Sequence, residues 1–275
     1  MLKDITLGQY YPADSVIHKL DPRVKLLSTL LYIISLFVFE GPIAFALATV
    51  FLICMIRLSK VPFSYMGRGL KAIIVLLMIT GCINLFMTDG KVLVSFWKLR
   101  ITYEGVRVSV LMVIRLVYLI IGTSIMTLTT TPNRLTDGLE KALAPLKKIR
   151  IPVHEIAMMM SIALRFIPIL TEETDKIMKA QMARGADFES GNLIKKAKSM
   201  IPLLVPLFVS AFRRADDLAM AMEARCYNGG EGRTKMKPLK YAGRDHRAYL
   251  VLLVYFALII VCRIFCPWSL FNLAA

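Results

Sequence analysis

Two arginines with nearly the same surroundings are the residues whose type and spacing point most clearly to chemistry. Arg184 and Arg225 are 41 residues apart, each follows an alanine, and each stands nine residues after an aspartate, Asp175 or Asp216. A guanidinium is planar and permanently charged, and its donors match the two oxygens of a carboxylate. With small neighbours, an arginine of this kind can enter a narrow groove and pair there with an acidic side chain.

The residues after these arginines predict that each lies at the end of a helix. Gly185 follows Arg184, whereas Cys226 follows Arg225 and the next glycines are Gly229-Gly230. Glycine directly after a helix is a common stop because it adopts positive φ. Since Cys226 stands where the first copy has glycine, we expect the second helix to end later, toward Gly229-Gly230.

Two interpretations of the arginine-bearing helix ends, the arginine tips, remain open from the residues alone. A cation at a helix C-terminus stabilises the helix dipole by about 0.3–1 kcal/mol, which needs no partner. Alternatively, the tips are plugs for a partner protein, and the methionine-rich segments 178–182 and 220–222 before them give an adaptable apolar surface. Two similar tips then predict two similar receptor sites, on a dimeric or pseudo-dimeric partner.

The segment that carries both tips predicts long amphipathic helices. Residues 131–247 hold 21 Lys/Arg and 13 Asp/Glu, a net charge of +8. Helix-forming residues and interspersed prolines predict helices over about 133–144, 153–183 with a kink near Pro168, and 192–224 with a kink near Pro202–Pro206. The helices are too charged to span a membrane and too apolar to stand free, so we expect them to lie under membrane spans.

The rest of the chain predicts an all-α integral membrane protein. Hydrophobic residues make up 57% and mean hydropathy is +0.62, above the usual soluble range. We predict about five transmembrane helices, of which the first two are the shortest. Their apolar runs are Leu26–Phe39, Ile43–Ile56, Ala72–Phe86, Val108–Thr127 and Tyr249–Phe265. The predicted regions are a membrane region 1–131 with four spans, a cytoplasmic coupling-helix region 132–246, and a C-terminal transmembrane helix 247–275.

The basic residues predict the orientation of the chain rather than a nucleic-acid partner. The net charge of +16 lies mostly beside apolar runs, as expected of cytoplasmic loops next to anionic lipid. The N-terminus and the amphipathic helices are therefore placed in the cytoplasm. The loop Thr88–Arg107 carries four cations and yet falls on the outer side, against the positive-inside tendency.

The predicted spans hold few polar groups, which argues against catalysis or a substrate path of the chain's own. Arg115, Arg263 and Asn84 are the clearest polar residues within them; intramembrane charges usually mark functional sites. Arg115 either contacts a partner helix or extends its charge toward water. No phosphate-binding loop is present. Cys262 and Cys266 lie one helical turn apart, which would permit metal ligation, but no His or carboxylate lies nearby to complete a site, and the three histidines have no metal-ligand pattern around them. We therefore expect no catalytic residue and no metal site.

An ordered set of motifs resembles the transmembrane T component, EcfT, of energy-coupling factor transporters (the CbiQ-like family). The motifs are Leu20–Leu27 (LDPRVKLL), Thr131–Arg134 (TPNR), Leu164–Pro168 (LRFIP), Ala183–Gly185 (ARG) and Ala224–Cys226 (ARC). The resemblance covers nearly the whole chain. The third residue of the second tip departs from the family, which usually has glycine where Cys226 stands.

This resemblance implies a prokaryotic cell-membrane subunit whose two long helices are coupling helices. Arg184 and Arg225, with their neighbours, would dock in grooves of two ATP-binding-cassette ATPases, and Asp175 and Asp216 would be supporting positions. The unequal tips favour two different ATPases. ATP would be used by these partners, with no cofactor bound directly. A separate substrate-binding membrane subunit, the S component, would take up a vitamin or other micronutrient.

Three rival functions are weighed against this one. A conventional permease needs more polar residues in its spans than this chain has. A membrane enzyme acting on lipid or prenyl substrates should show clustered Asp, Glu or His at an inner membrane face, which the inner loops do not. A membrane-anchored scaffold would need no ATP-binding partner, so co-purification of two nucleotide-binding subunits distinguishes it.

Overall fold

Helices form nearly all of the regular structure. The computed structural model describes residues 10–38, 41–96, 99–188, 192, 194, 198–230, 236 and 238–265. In chain order, its elements are α1 Pro22–Val38, α2 Pro42–Ser59, α3 Phe63–Met87, β1 Val92–Phe96, β2 Leu99–Thr102, α4 Tyr103–Thr129, α5 Pro132–Ala142, a 3-10 helix Ala144–Ile149, α6 Val153–Ala183, α7 Ile201–Glu223 and α8 Gly243–Phe265. The predicted helical membrane architecture is confirmed.

The chain divides into two compact units. The main unit comprises residues 10–138 and 239–265, and the two-helix unit comprises the described residues within 139–238. The main unit contains α1 to α4, most of α5, and α8. The two-helix unit contains the 3-10 helix, α6 and α7, which pack against each other.

Among the described residues, three helices are long and apolar enough to cross a membrane: α4, α6 and α8. The two halves of α3 add a fourth when they count as one bent span. The last three predicted spans therefore coincide with α3, α4 and α8. The first two coincide with α1 and α2, which have 17 and 18 residues, near the lower limit of about 17 for a span. The predicted end of the first run at Phe39 lies outside the described residues.

Helix α6 corrects the prediction that the amphipathic helices are too charged to span. It holds an 18-residue apolar window with no more than two charged residues. The expectation averaged charge over the whole segment, but five of the seven charged residues of α6 lie in its C-terminal part, from Glu172 to Lys179. By length and composition, the apolar part of α6 is therefore able to cross a membrane, although it is less apolar than α4 and α8.

The prolines of α6 and α7 act in two different ways. Pro168 lies inside α6, whose predicted limits of 153 and 183 are confirmed. Helix α7 begins at Ile201 instead of 192, and Pro202 occupies its first turn, where a missing N–H leaves no bond unmade. Pro206 lies inside α7. Most residues from 189 to 197 lie outside the described residues.

A short antiparallel hairpin of β1 and β2 occupies the loop between α3 and α4. The sequence analysis treated this stretch as a loop, although Val92–Phe96 is rich in β-branched and aromatic residues. The hairpin leads directly into α4. The Thr102 hydroxyl accepts a hydrogen bond from the Gly105 N–H at 3.0 Å and donates one to the Thr88 carbonyl at 2.7 Å. Thr102 is therefore the N-cap of α4 and also ties it to the end of α3.

The core of the main unit lies between α1, α2, α4 and α8. Leu36, Ala48 and Ile259 are fully buried there. The rings of Phe51 and Tyr255 stack with centroids 4.2 Å apart, and the Tyr255 hydroxyl is 3.0 Å from Ser35 Oγ. Aromatic stacking and burial of large side chains dominate core energetics, so these four helices form the fixed part of the unit.

Two carboxylates join the start of α1 to the start of α8. Asp21 Oδ1 accepts from the Arg23 N–H at 2.9 Å, and the Arg23 guanidinium pairs with both Asp21 oxygens. Burial raises the pKa of Asp21, but the hydrogen bonds from Arg23 outweigh it and hold that pKa below its usual value. Asp245, which is 2% exposed, accepts from the Asp21 N–H at 2.9 Å and from the Ala242 N–H at 2.8 Å. Asp21 therefore caps the N-terminus of α1, and Pro22 is the first residue of the helix.

Replacing Gly138 by alanine is expected to destabilise the main unit by about 1–3 kcal/mol. A Cβ at Gly138 would lie 2.8 Å from Pro22 Cβ and 3.2 Å from the Pro22 carbonyl carbon, so α5 would have to move away from α1. Thermal unfolding of the detergent-solubilised protein measures the loss. The matched control is Gly67→Ala in α3, where an added Cβ meets nothing within 4 Å. An unchanged unfolding temperature for Gly138→Ala would contradict the close approach.

Candidate functional site

The first arginine tip ends α6 with a defined pair of backbone hydrogen bonds. The Gly185 N–H donates to the Met182 carbonyl at 3.0 Å, and the Ala186 N–H donates to the Gln181 carbonyl at 3.0 Å. Gly185 has φ of +88°. This is the Schellman arrangement, in which a residue of left-handed conformation lets the chain close the last carbonyls of a helix. Arg184 is therefore the last residue before the turn, as its sequence position predicts.

The second tip ends α7 with the same pair of bonds, shifted by 41 residues. The Cys226 N–H donates to the Glu223 carbonyl at 2.8 Å, and the Tyr227 N–H donates to the Met222 carbonyl at 3.0 Å. Cys226 has φ of +55° and takes the place of Gly185. The predicted later ending toward Gly229-Gly230 is therefore wrong. The backbone bonds made by the Schellman turn hold Cys226 in the left-handed conformation despite its side chain.

We expect Cys226→Gly to stabilise the second tip by about 0.5–1 kcal/mol. The left-handed conformation costs a residue with a Cβ about 1–2 kcal/mol, and the larger freedom of glycine in the unfolded chain offsets part of this gain. Hydrogen–deuterium exchange over residues 220–228 measures the effect as slower exchange.

The reciprocal change at the first tip is the matched control. Gly185→Ala is expected to destabilise that tip by about 1 kcal/mol, and for a backbone reason alone, because an added Cβ at Gly185 meets nothing within 4 Å. Faster exchange in the Cys226→Gly protein, or no change in the Gly185→Ala protein, would contradict the equivalence of the two turns.

Both tips present their arginines to the surroundings. Ala183, Arg184 and Gly185 are exposed, and so are Ala224, Arg225 and Cys226. Neither guanidinium has a hydrogen bond or an ion pair with another described residue. Each guanidinium is therefore free to pair with an external acid. The position of the cations at helix C-termini is also favourable to the helix dipole.

The repeat extends from the tips to the pairing of the two helices. Glu173 of α6 and Arg214 of α7 are themselves 41 residues apart, and Arg214 Nη2 lies 3.4 Å from Glu173 Oε2. The sequence analysis missed this pair, although the same offset of 41 would have aligned the two positions. Asp175 is half-buried on α6 and Asp216 is exposed on α7. Their supporting role stays a prediction.

Arg115 lies on α4 beside two aromatic rings of the main unit. Its guanidinium carbon is 5.8 Å from the ring centroid of Phe37 and 6.0 Å from that of Phe45. Its Nη1 is 4.0 Å from the sulfur of Met112. Aromatic faces attract a cation within about 6 Å, so α1 and α2 supply the surroundings of this charge. Contact with a partner helix stays a prediction.

Lys25, which lies within the Leu20–Leu27 motif, has a structural role that the sequence did not reveal. It is 6% exposed, and its ammonium donates to the Thr129 carbonyl at 2.8 Å and to Thr130 Oγ1 at 3.2 Å. A third bond, of 3.4 Å, reaches the His18 carbonyl. A cation at the C-terminal end of α4 satisfies carbonyls that the helix leaves without partners. No local pattern signals a contact that joins residues 104 positions apart.

Known proteins resemble this chain over most of its length. The sequence family described as cobalt transport protein, CbiQ, matches residues 13–236. The chain belongs to this family. A protein of Clostridium kluyveri is 58% identical over 266 residues, which cover 96% of this chain and 98% of that protein. A protein of Thermosediminibacter oceani is 54% identical, with 90% and 94% covered, and one of Bacillus subtilis is 48% identical, with 96% and 100% covered.

Each of these relatives is described as an energy-coupling factor transporter transmembrane protein, EcfT. The resemblance seen in the five motifs is thereby confirmed. As a member of the CbiQ family, the chain is a membrane component of a bacterial transporter and not an enzyme. The arginine tips lie within the matched range 13–236.

Proposed function

We propose that this chain is the transmembrane coupling subunit of an energy-coupling factor importer, in which Arg184 and Arg225 dock into two ATP-binding-cassette ATPases. The observation that carries the proposal is the equivalence of the two tips. Both end in the same turn, both expose their arginine, and both lie on helices of the two-helix unit. Two equivalent cationic tips fit two equivalent acidic grooves, as a pair of related ATPases would supply.

The two long helices provide the mechanical link between the ATPases and the membrane. Helix α6 has 31 residues, which corresponds to about 46 Å at 1.5 Å per residue. Its packing against α7 and the Glu173–Arg214 pair couple the two helices. When ATP binding brings the two ATPases together, their grooves move the tips, and the helices transmit this movement. A substrate-binding S component held by the membrane-spanning part would then reorient and release a vitamin or another micronutrient.

The chemistry of this cycle is divided among the subunits. The ATPases bind and hydrolyse ATP, the S component selects the substrate, and this chain binds both. The exposed thiol of Cys226 has no counterpart at Gly185, so the two grooves need not be identical, and two different ATPases fit the pair best. Lipid surrounds the spans, and nucleic acid has no part in the cycle.

Co-purification tests the proposal. The chain carries an affinity tag and is purified in mild detergent from its own host, and its partners are identified by mass spectrometry. We expect two nucleotide-binding subunits and at least one further small membrane protein, and we expect the purified complex to drive ATP-dependent uptake in vesicles. Recovery of the chain without any nucleotide-binding subunit would reject the proposal in favour of a membrane-anchored scaffold.

A further inference from the structure

An apolar cavity of about 280 Å³ lies inside the main unit. Four helices line it with the ends that lie on the same side of the unit, which are the start of α1, the end of α2, the end of α4 and the start of α8. Representative lining residues are Thr29, Met55, Met126 and Leu252. The volume is just below the range of about 300–1,000 Å³ that is typical of small-molecule sites. It therefore suits one slender apolar group rather than a whole large ligand.

The charged residues that line this cavity are all cations and lie near the starts of α1 and α8, and hydroxyl groups also line it, on Ser28, Thr29, Tyr32 and Thr129. Lys25 lies in the first turns of α1, and Arg244 and Arg247 lie in the first turns of α8. Further from the helix starts the lining becomes mostly apolar, with Phe51 and Leu252 among its residues. A cationic rim above an apolar interior matches a ligand with an anionic head and a hydrocarbon tail.

The two arginines keep their charge available to such a head, whereas the donors of Lys25 are already occupied. Arg244 and Arg247 are exposed, and neither forms an ion pair within the described part of the chain. The ammonium of Lys25 is held by two carbonyls and a hydroxyl, with no carboxylate among its described partners. Asp245, which lies between the two arginines, directs its oxygens to the N–H groups of Asp21 and Ala242.

We propose that the cavity binds one acyl chain of an anionic phospholipid, whose phosphate lies against Arg244 and Arg247. The predicted orientation puts the starts of α1 and α8 at the cytoplasmic surface, so the lipid comes from the inner leaflet. The acyl chain fills the space between the four helices of the core and holds their cytoplasmic ends together. This lipid site is independent of ATPase docking and involves none of the residues of the arginine tips.

Lipid retention after purification tests the site. The full chain is reconstituted in nanodiscs of equal parts phosphatidylglycerol and phosphatidylcholine, transferred to detergent, and examined by native mass spectrometry. We expect about one phosphatidylglycerol retained per chain in preference to phosphatidylcholine. The double variant Arg244→Ala, Arg247→Ala should lower this retention about 10- to 30-fold. Ala248→Phe, which adds a ring to the cavity lining, should lower retention of both lipids.

Two matched controls lie on the same helix. Arg263→Ala removes an exposed cation at the far end of α8, and Ala257→Phe adds a ring at an exposed position. Both should retain phosphatidylglycerol as the unchanged protein does. An unaltered unfolding temperature identifies variants that have kept their fold, and the double arginine variant decides the question if Ala248→Phe unfolds.

Three outcomes would overturn the lipid site. One is equal retention of the two lipids, and another is unchanged phosphatidylglycerol retention in the double arginine variant. The third is displacement of the lipid by inorganic phosphate or glycerol phosphate at millimolar concentration, which would assign the cations to a free anion. Retention of detergent in place of either lipid would also overturn the site, because it shows no preference for an anionic head.

Discussion

Arg184→Glu or Arg225→Glu is expected to weaken binding of the ATPase subunits by at least about 30-fold. Removing one partner of a hydrogen-bonded interfacial charge pair costs about 2–5 kcal/mol, and a reversed charge adds repulsion from the acidic groove. The double reversal should abolish assembly and ATP-driven uptake. Binding is measured by titrating purified ATPases onto the chain in nanodiscs, and uptake by transport of substrate into vesicles.

The controls for this prediction separate docking from folding. Both arginines are exposed and have no described partner, so their replacement should leave the unfolding temperature nearly unchanged. Arg213→Glu reverses an exposed cation on α7 away from its end and should bind ATPases normally. Arg184→Lys should fall between, because an ammonium lacks the planar bidentate geometry. Wild-type binding and uptake in the double reversal would disprove the docking role of the tips.

The largest expected loss of stability comes from Asp245→Ala. The Asp245 carboxylate is 2% exposed and accepts hydrogen bonds from the Asp21 and Ala242 N–H groups. Hydrogen bonds to a charged group contribute about 1.5–3 kcal/mol each, so the loss of both costs about 3–5 kcal/mol. The unfolding temperature should fall on the order of 10 °C. Thermal unfolding in detergent, followed by size-exclusion chromatography, measures it.

Two further variants show whether the carboxylate acts through its bonds. Asp245→Asn keeps one acceptor oxygen, so it should restore part of the lost stability. Asp14→Ala removes an exposed carboxylate that pairs with Lys19 on the surface, and it should leave the unfolding temperature close to that of the unchanged protein. An Asp245→Ala protein as stable as the Asp14→Ala protein would show that water replaces Asp245 without loss.

The features that the sequence predicted well depend on local signals. The limits of α6 at Val153 and Ala183 follow from Pro152 before the helix and Gly185 after it. The last three apolar runs lie within helices α3, α4 and α8, since a mostly apolar run close to the length of a membrane span allows few other structures. The equivalence of the two tips was visible because a repeat needs only a comparison of the chain with itself.

The features that the sequence did not predict depend on contacts between distant residues. Asp21 and Asp245 are 224 positions apart, and Lys25 meets a carbonyl 104 positions away. The residues around each partner give no indication of where in the sequence the other partner lies. Cys226 is a different case, because its propensity opposes the left-handed conformation and the turn still forms. There the bonds of the whole helix end outweigh the preference of one residue.

The backbone hydrogen bonds of the turns that end α6 and α7 affect the kinetics with which the tips bind a partner. Because the carbonyls near each arginine are already bonded within their own turn, a tip needs no folding when it meets a groove. Docking then immobilises little more than one long side chain, at about 0.5–1.5 kcal/mol. Such preorganised contacts are formed at ordinary encounter rates, and changes in a groove or a tip appear mainly in how long the complex lasts. The lifetime of each docked tip, rather than the speed of its arrival, is thus the quantity that evolution can adjust by single substitutions.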